Sequence, residues 1–96
     1  MTLSSQQKQY LKGQAHKLKP VVMVGDAGIS DAVVAETDQT LEHHELIKVK
    51  LNAGEKADRQ VMAQDLCQRT DAELVQLIGR TAILYRAAQK PRITLP

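Results

Sequence analysis

A histidine pair followed by an acid, His43-His44-Glu45, and a lone cysteine, Cys67, are the residues of this 96-residue chain that could serve catalysis or metal binding. Neighbouring helical residues point about 100° apart, so His43 and His44 cannot easily share one ion. A zinc site would need further ligands from His16, Cys67 or distant acids, and no ligand spacing supplies them. The pair reads as helix-end residues, favourable near the negative end of the dipole. Cys67, beside Leu66 in a helical pattern, reads as a small core residue. The serines fall at helix-capping positions, without a nucleophile elbow. These residues predict no enzyme, no cofactor and no metal site.

Backbone chemistry is more promising. Gly25-Asp26-Ala27-Gly28 joins the apolar run Val21 to Val24 to a helix start at Ser30. The loop lacks the Gly-Lys-Ser/Thr of a nucleotide-cleaving phosphate loop, and it is no Gly-x-Gly-x-x-Gly. A Gly-x-x-Gly at a helix N-terminus nevertheless lets the main chain approach a phosphate closely, and the free N–H groups favour an anion there. The KH-type loop clamps single-stranded nucleic acid by the same physics. A strand-to-helix turn also needs glycine, so the loop alone leaves both readings open.

The elements that must position these residues follow from periodicity and caps. Ser4 and Gln7 form a capping box for a first helix reaching about Lys17, where Pro20 stops it. Leu3, Tyr10, Leu11, Ala15 and Leu18 share one side of it, and Lys8, Lys12 and His16 recur at four-residue steps along another. Gly13 costs this helix about 1 kcal/mol against alanine, which suggests close approach by another backbone. Val21 to Val24 reads as a strand buried on both faces. Ser30 caps a second helix to about His43, burying Ile29, Val33, Thr37 and Leu41 and exposing Asp31, Glu36, Asp38 and Glu42. Leu46 to Leu51 alternates, so Ile47, Val49 and Leu51 face a core while Lys48 and Lys50 face solvent. A third helix from about Glu55 to Thr70 should bury Ala57, Val61, Met62 and Leu66, with Asp71 ending it in a left-handed conformation. Leu74 to Ile78 and Thr81 to Arg86 form a hairpin through Gly79-Arg80, a pair suited to a type II′ turn. A basic tail begins at about residue 87. The order α-β-α-β-α-β-β predicts an α/β fold, a single domain with a mixed four-stranded sheet and helices packed on it.

Composition narrows the function. Tyr10 and Tyr85 are the only aromatic residues among the three large types, so no set of rings exists for bases to stack on. The single cysteine excludes an internal disulfide and suggests a reduced, cytoplasmic setting. The N-terminal stretch lacks the apolar core of a secretory signal, and no segment approaches the roughly 20 apolar residues of a membrane span. Net charge is only +2, yet residues 1–25 hold four lysines and no acid, residues 26–47 six acids and no Lys or Arg, and residues 80–96 Arg80, Arg86, Lys90 and Arg92 without an acid. Such segregation predicts a dipolar molecule with one positive face.

The stretches LKGQAHKLKPVVMVGDAGIS, LEHHELIKVKL and IGRTAILYR, in this order, resemble the CRM (chloroplast RNA splicing and ribosome maturation) domain, and most closely its bacterial YhbY-type members. The similarity runs from Leu3 to about Arg86. It implies the element order above, a fold similar to the C-terminal domain of translation initiation factor three, and RNA binding through a Gly-x-x-Gly loop with a neighbouring basic surface. Bacterial members are associated with large-subunit ribosomal precursors and plant relatives with intron splicing. Carried onto this chain, the resemblance implies an RNA-binding site of Gly25, Asp26, Ala27 and Gly28 with Lys12, Lys19, Lys48, Lys50, Arg80 and Arg86. Asp26 departs from the pattern, since an acid suits phosphate poorly. The resulting expectation is a non-enzymatic protein that binds ribosomal RNA in precursors of the large (50S) subunit, reading backbone and shape more than base sequence. The alternative is a protein-interaction module whose acidic second helix docks a basic ribosomal protein.

Overall fold

Ser4 starts the first helix as the capping box requires. Its hydroxyl accepts the Gln7 N–H at 3.1 Å, and the Gln7 Oε1 accepts the Ser4 N–H at 3.0 Å. A computed structural model describes residues 2–96. The elements run α1 (Ser5–Ala15), β1 (Pro20–Val24), α2 (Asp31–His44), β2 (Leu46–Leu51), α3 (Lys56–Thr70), β3 (Glu73–Ile78) and β4 (Thr81–Tyr85). The sheet has the order β1-β2-β4-β3, with β1 parallel to β2 and the remaining pairs antiparallel. This is the mixed α/β architecture that the sequence pattern predicts. Asp71 adopts φ 57°, ψ 36° at the end of α3. Gly79 alone in the hairpin pair has a positive φ, 56°, as a type II′ turn requires.

Two apolar layers sandwich the sheet. On one face Val22, Val24, Ile47, Val49, Leu51, Ala82 and Leu84 pack against Leu41 of α2 and Ala63, Leu66 and Cys67 of α3. On the other, Leu46, Val75, Ile83 and Tyr85 meet Leu11 and Ala15 of α1, with Ile93 and Leu95 of the C-terminal segment alongside. Each fully buried Val, Leu or Ile stabilises the fold by roughly 1.5–3 kcal/mol, so both layers matter.

Local expectations fail where packing overrules pattern. β1 is an edge strand covered on one face only: Val22 and Val24 are buried while Val21 is 49% and Met23 60% exposed. The reason is that α1 packs chiefly on β2, β3 and β4. Lys48 and Lys50 are half-buried on the sheet face that carries α1, not on open solvent. α3 is rotated from the expected stripe. It buries Ala63, Leu66, Cys67 and Thr70, leaving Ala57 exposed and Val61 66% exposed. Small side chains at 63, 67 and 70 let the helix approach the sheet. Around Gly13 no atom lies within 4 Å of an added Cβ, so no other segment of the chain approaches it.

The C-terminal segment is docked, and Glu45 docks it. This residue is fully buried, at φ 63° and ψ −43°, a backbone conformation that costs a side-chain-bearing residue on the order of 1–3 kcal/mol. Its carboxylate accepts the N–H groups of Ala88 (3.0 Å), Arg92 (2.7 Å) and Ile93 (3.1 Å). Burial pushes the carboxyl pKa up, but these amides and the Arg92 charge outweigh it and hold the pKa below its ordinary value.

Candidate nucleic-acid interface

The glycine loop forms a tight turn in which the Gly28 N–H donates to the Gly25 carbonyl at 3.0 Å. Gly28 has φ 72°, so the turn itself requires a glycine there. Gly25 is different. Its φ is not left-handed and an added Cβ would meet no atom within 4 Å. Nothing inside the molecule explains the missing side chain, and the position faces outward. Ala27 is exposed. Asp26 is exposed too, and its carboxylate accepts no hydrogen bond from the described residues. The cap of α2 comes instead from Ser30, whose hydroxyl accepts the Val33 N–H at 3.2 Å.

Strand register brings two more loops to the same end of the sheet. The Val24 carbonyl accepts the Asn52 N–H at 2.8 Å, and the Arg80 carbonyl accepts the Leu51 N–H at 2.7 Å. The glycine loop, the β2–α3 connection and the Arg80 hairpin therefore lie side by side. Arg59, which the sequence pattern did not single out, staples two of them. Its guanidinium donates to the carbonyls of Gly79 at 3.1 Å and Gly54 at 2.9 Å.

Below these loops, the face carrying α1 holds a groove of about 700 Å³ lined by Lys12 of α1, His16 just past its end and Lys48 of β2, among others. Gly13 also lines it, so its missing side chain widens the opening. Lys50 lies opposite Thr81 on β4 and beside Met23 on β1. Lys19 precedes β1, about 20 Å from Gly25 at 3.3 Å per residue.

Arg86 does not join this group. It donates to the Asp38 carboxylate at 2.6 Å, the Thr70 carbonyl at 2.8 Å and the Asp38 carbonyl at 2.9 Å, with Glu42 at 3.8 Å. Its guanidinium is committed to tying α2 to the end of α3. By contrast, none of Lys12, Lys19, Lys48, Lys50 and Arg80 forms an ion pair with the described residues.

The groups with catalytic potential stand apart. Burial, with the Glu73 carboxylate, pushes the Cys67 thiol up to about 12, so it stays protonated at neutral pH. The His43 and His44 rings meet edge to face with centroids 6.5 Å apart. Among the described residues no three His, Cys, Asp or Glu side chains are grouped as a metal site requires, and no helix is long and apolar enough to cross a membrane.

The family model of the CRS1/YhbY (CRM) domain matches residues 3–86. The chain belongs to this family. An RNA-binding protein of Haemophilus influenzae is 45% identical to this CRM domain, over 99% of the chain and 96% of the relative. A Bacillus subtilis relative is 35% identical over 98% of the chain and 99% of its own length. The solution structure of a Staphylococcus aureus protein matches the fold with a TM-score of 0.88 at 36% identity, covering 99% of this CRM domain and all of that chain. The similarity thus extends past the family boundary into the C-terminal segment that Glu45 holds.

Proposed function

We propose that this CRM domain is a non-enzymatic RNA-binding protein, and that its target is ribosomal RNA in cytoplasmic precursors of the large ribosomal subunit. One observation carries the reading: Lys12, Lys19, Lys48, Lys50 and Arg80 are free of acidic partners among the described residues, and the groove that holds Lys12 and Lys48 reaches Ile78 and Thr81, on either side of the Arg80 turn that lies at the glycine-loop end of the sheet. Free cations on one flank neutralise phosphates and release counterions. Gly25 admits a phosphate to the backbone, and Lys48 and Lys50 supply charge from a rigid strand. Arg86 takes no part, since its guanidinium is already satisfied. The relatives named as RNA-binding support the same reading.

Docking of a basic protein on α2 is the weaker reading. Of the acids on that helix, Asp38 and Glu42 already face Arg86, and Glu42 also accepts the Gln89 N–H at 2.9 Å. Asp31 and Glu36 alone are left unpaired on it among the described residues.

The test pairs salt dependence with a triple substitution. Single-strand binding should lose about 0.7 log units of affinity per log unit of salt for each phosphate neutralised. Replacing Lys19, Lys48 and Arg80 by alanine should therefore lower the slope by about 2. An unchanged slope would show that these side chains do not meet phosphate. Crosslinking in cells, followed by sequencing of the bound RNA, identifies the target, and recovery of RNA other than large-subunit precursors would overturn that part.

A further inference from the structure

A second cationic cavity lies at the opposite end of β1 from the glycine loop. It measures about 380 Å³, within the roughly 300–1,000 Å³ of small-ligand sites. Its wall is aliphatic, with Val21 and Leu46 from the sheet and Ile93 from the C-terminal segment. Its rim is cationic or titratable, formed by Lys17, Lys19 and His44, and no acid lines it. Neither lysine has an ion-pair partner among the described residues. Ile93 is fixed in place because its N–H donates to the buried Glu45 carboxylate at 3.1 Å.

An occupant must present apolar surface inward and negative charge at the mouth. We infer that the cavity receives one unpaired nucleotide of the bound RNA, with its base against Val21, Leu46 and Ile93 and its phosphate at Lys17 and Lys19. This inference rests on the RNA-binding reading and adds a base-holding site to it. Three features favour that occupant. Val21 and Met23 are exposed on one face of β1, leading from the cavity past Lys50, the neighbour of Met23, toward the glycine loop. The cavity offers a base an apolar wall that the tyrosines do not complete, since Tyr85 is buried and Tyr10, 39% exposed on α1, lies outside the cavity lining. A base locked in a duplex cannot enter, so the site selects single strands, bulges or loops.

The experiment compares short single-stranded RNA with the same strand lacking its bases, using the complete chain and a V21M variant. Val21 is half exposed at the mouth, so the longer methionine obstructs the cavity without altering charge or adding a ring on which a base could stack. The parent should prefer the base-bearing strand about tenfold, the factor supplied by burying roughly 60 Å² of apolar surface. V21M should lose that preference while keeping the parent's affinity for the abasic strand and its salt slope. Replacing Lys17 and Lys19 by alanine should weaken both strands. Equal binding of the two strands by the parent overturns the inference without needing any variant, and so does a V21M variant that keeps the preference, as it would if a protein segment were the occupant. Failure of the parent to bind either strand overturns the RNA-binding reading as well, which separates the two.

Discussion

Replacing Gly25 by alanine separates the two reasons a glycine can stand in this loop. Gly28 has a left-handed backbone at φ 72°, so G28A costs about 1–2 kcal/mol with or without RNA. Gly25 carries no such constraint, and its added methyl group meets no atom within 4 Å. G25A should therefore leave folding within about 0.5 kcal/mol of the parent, or stabilise it slightly by restricting the unfolded chain. Since 1 kcal/mol moves the midpoint by about 4–8 °C in a domain of this size, G28A should melt several degrees low and G25A close to the parent. Binding should behave differently. A methyl group between the main chain and a phosphate blocks the close approach, and losing one hydrogen bond to a charged group costs about 1.5–3 kcal/mol. The affinity of G25A for single-stranded RNA should then fall roughly ten- to a hundredfold. Thermal melting beside fluorescence anisotropy at fixed salt reads both quantities. A G25A variant that melts and binds like the parent refutes a phosphate at this loop.

Other substitutions test the frame and the groove. E45Q should lower stability by about 1–3 kcal/mol in urea unfolding, because an amide cannot accept all three buried N–H groups and leaves donors unsatisfied. The pH dependence has a definite sign: the folded pKa of Glu45 is lowered from 4.5, so its contribution is present above about pH 4.5 and lost as pH falls through the folded pKa. E45Q should flatten that acid limb. T37V should hold or raise stability by about 1 kcal/mol, because the buried Thr37 hydroxyl has no partner and an unsatisfied group is costly; a clear loss on denaturant unfolding would reveal a bond to an internal water. G13A should stabilise α1 by up to about 1 kcal/mol while weakening RNA binding, since its methyl group enters the groove beside Lys12 and Lys48. A G13A variant with unchanged affinity would place the RNA elsewhere.

The order of elements was legible because each boundary has a local cause: the Ser4 and Ser30 caps, Pro20, and the left-handed Asp71. Faces were less legible. The Val21–Val24 run reads alike for an edge strand and a buried one, and only the placing of α1 over the other three strands decides it. On α3 the larger Val61 outweighs Ala63 in any pattern, yet the sheet prefers the smaller residues because they permit close packing. The candidate site shows the same division. Lys12 and Lys48 were found as cations on the correct elements, but that they line one groove follows from where α1 lands. Glu45 gave no sign of its role, because its partners lie 43 to 48 residues away.

The tying of Arg86 into the fold has a general cause, since Lys and Arg serve a fold differently. Four of the five arginines act as internal staples: Arg59 on two loop carbonyls, Arg69 on Asp65, Arg86 on Asp38 and Thr70, and Arg92 on the end of α2. No lysine side chain donates a hydrogen bond within the described residues. A planar fork with fixed donors suits preorganised carbonyls and carboxylates, whereas a strongly hydrated ammonium on a flexible stem is held less readily. The fold thus consumes its arginines and leaves its lysines free. Arg80 is the exception: its backbone is fixed in a tight hairpin by the bond to Leu51, and its exposed side chain makes no ion pair or hydrogen bond with the described residues. The charge offered to RNA is therefore set less by how many basic residues the chain carries than by which of them the fold has no use for.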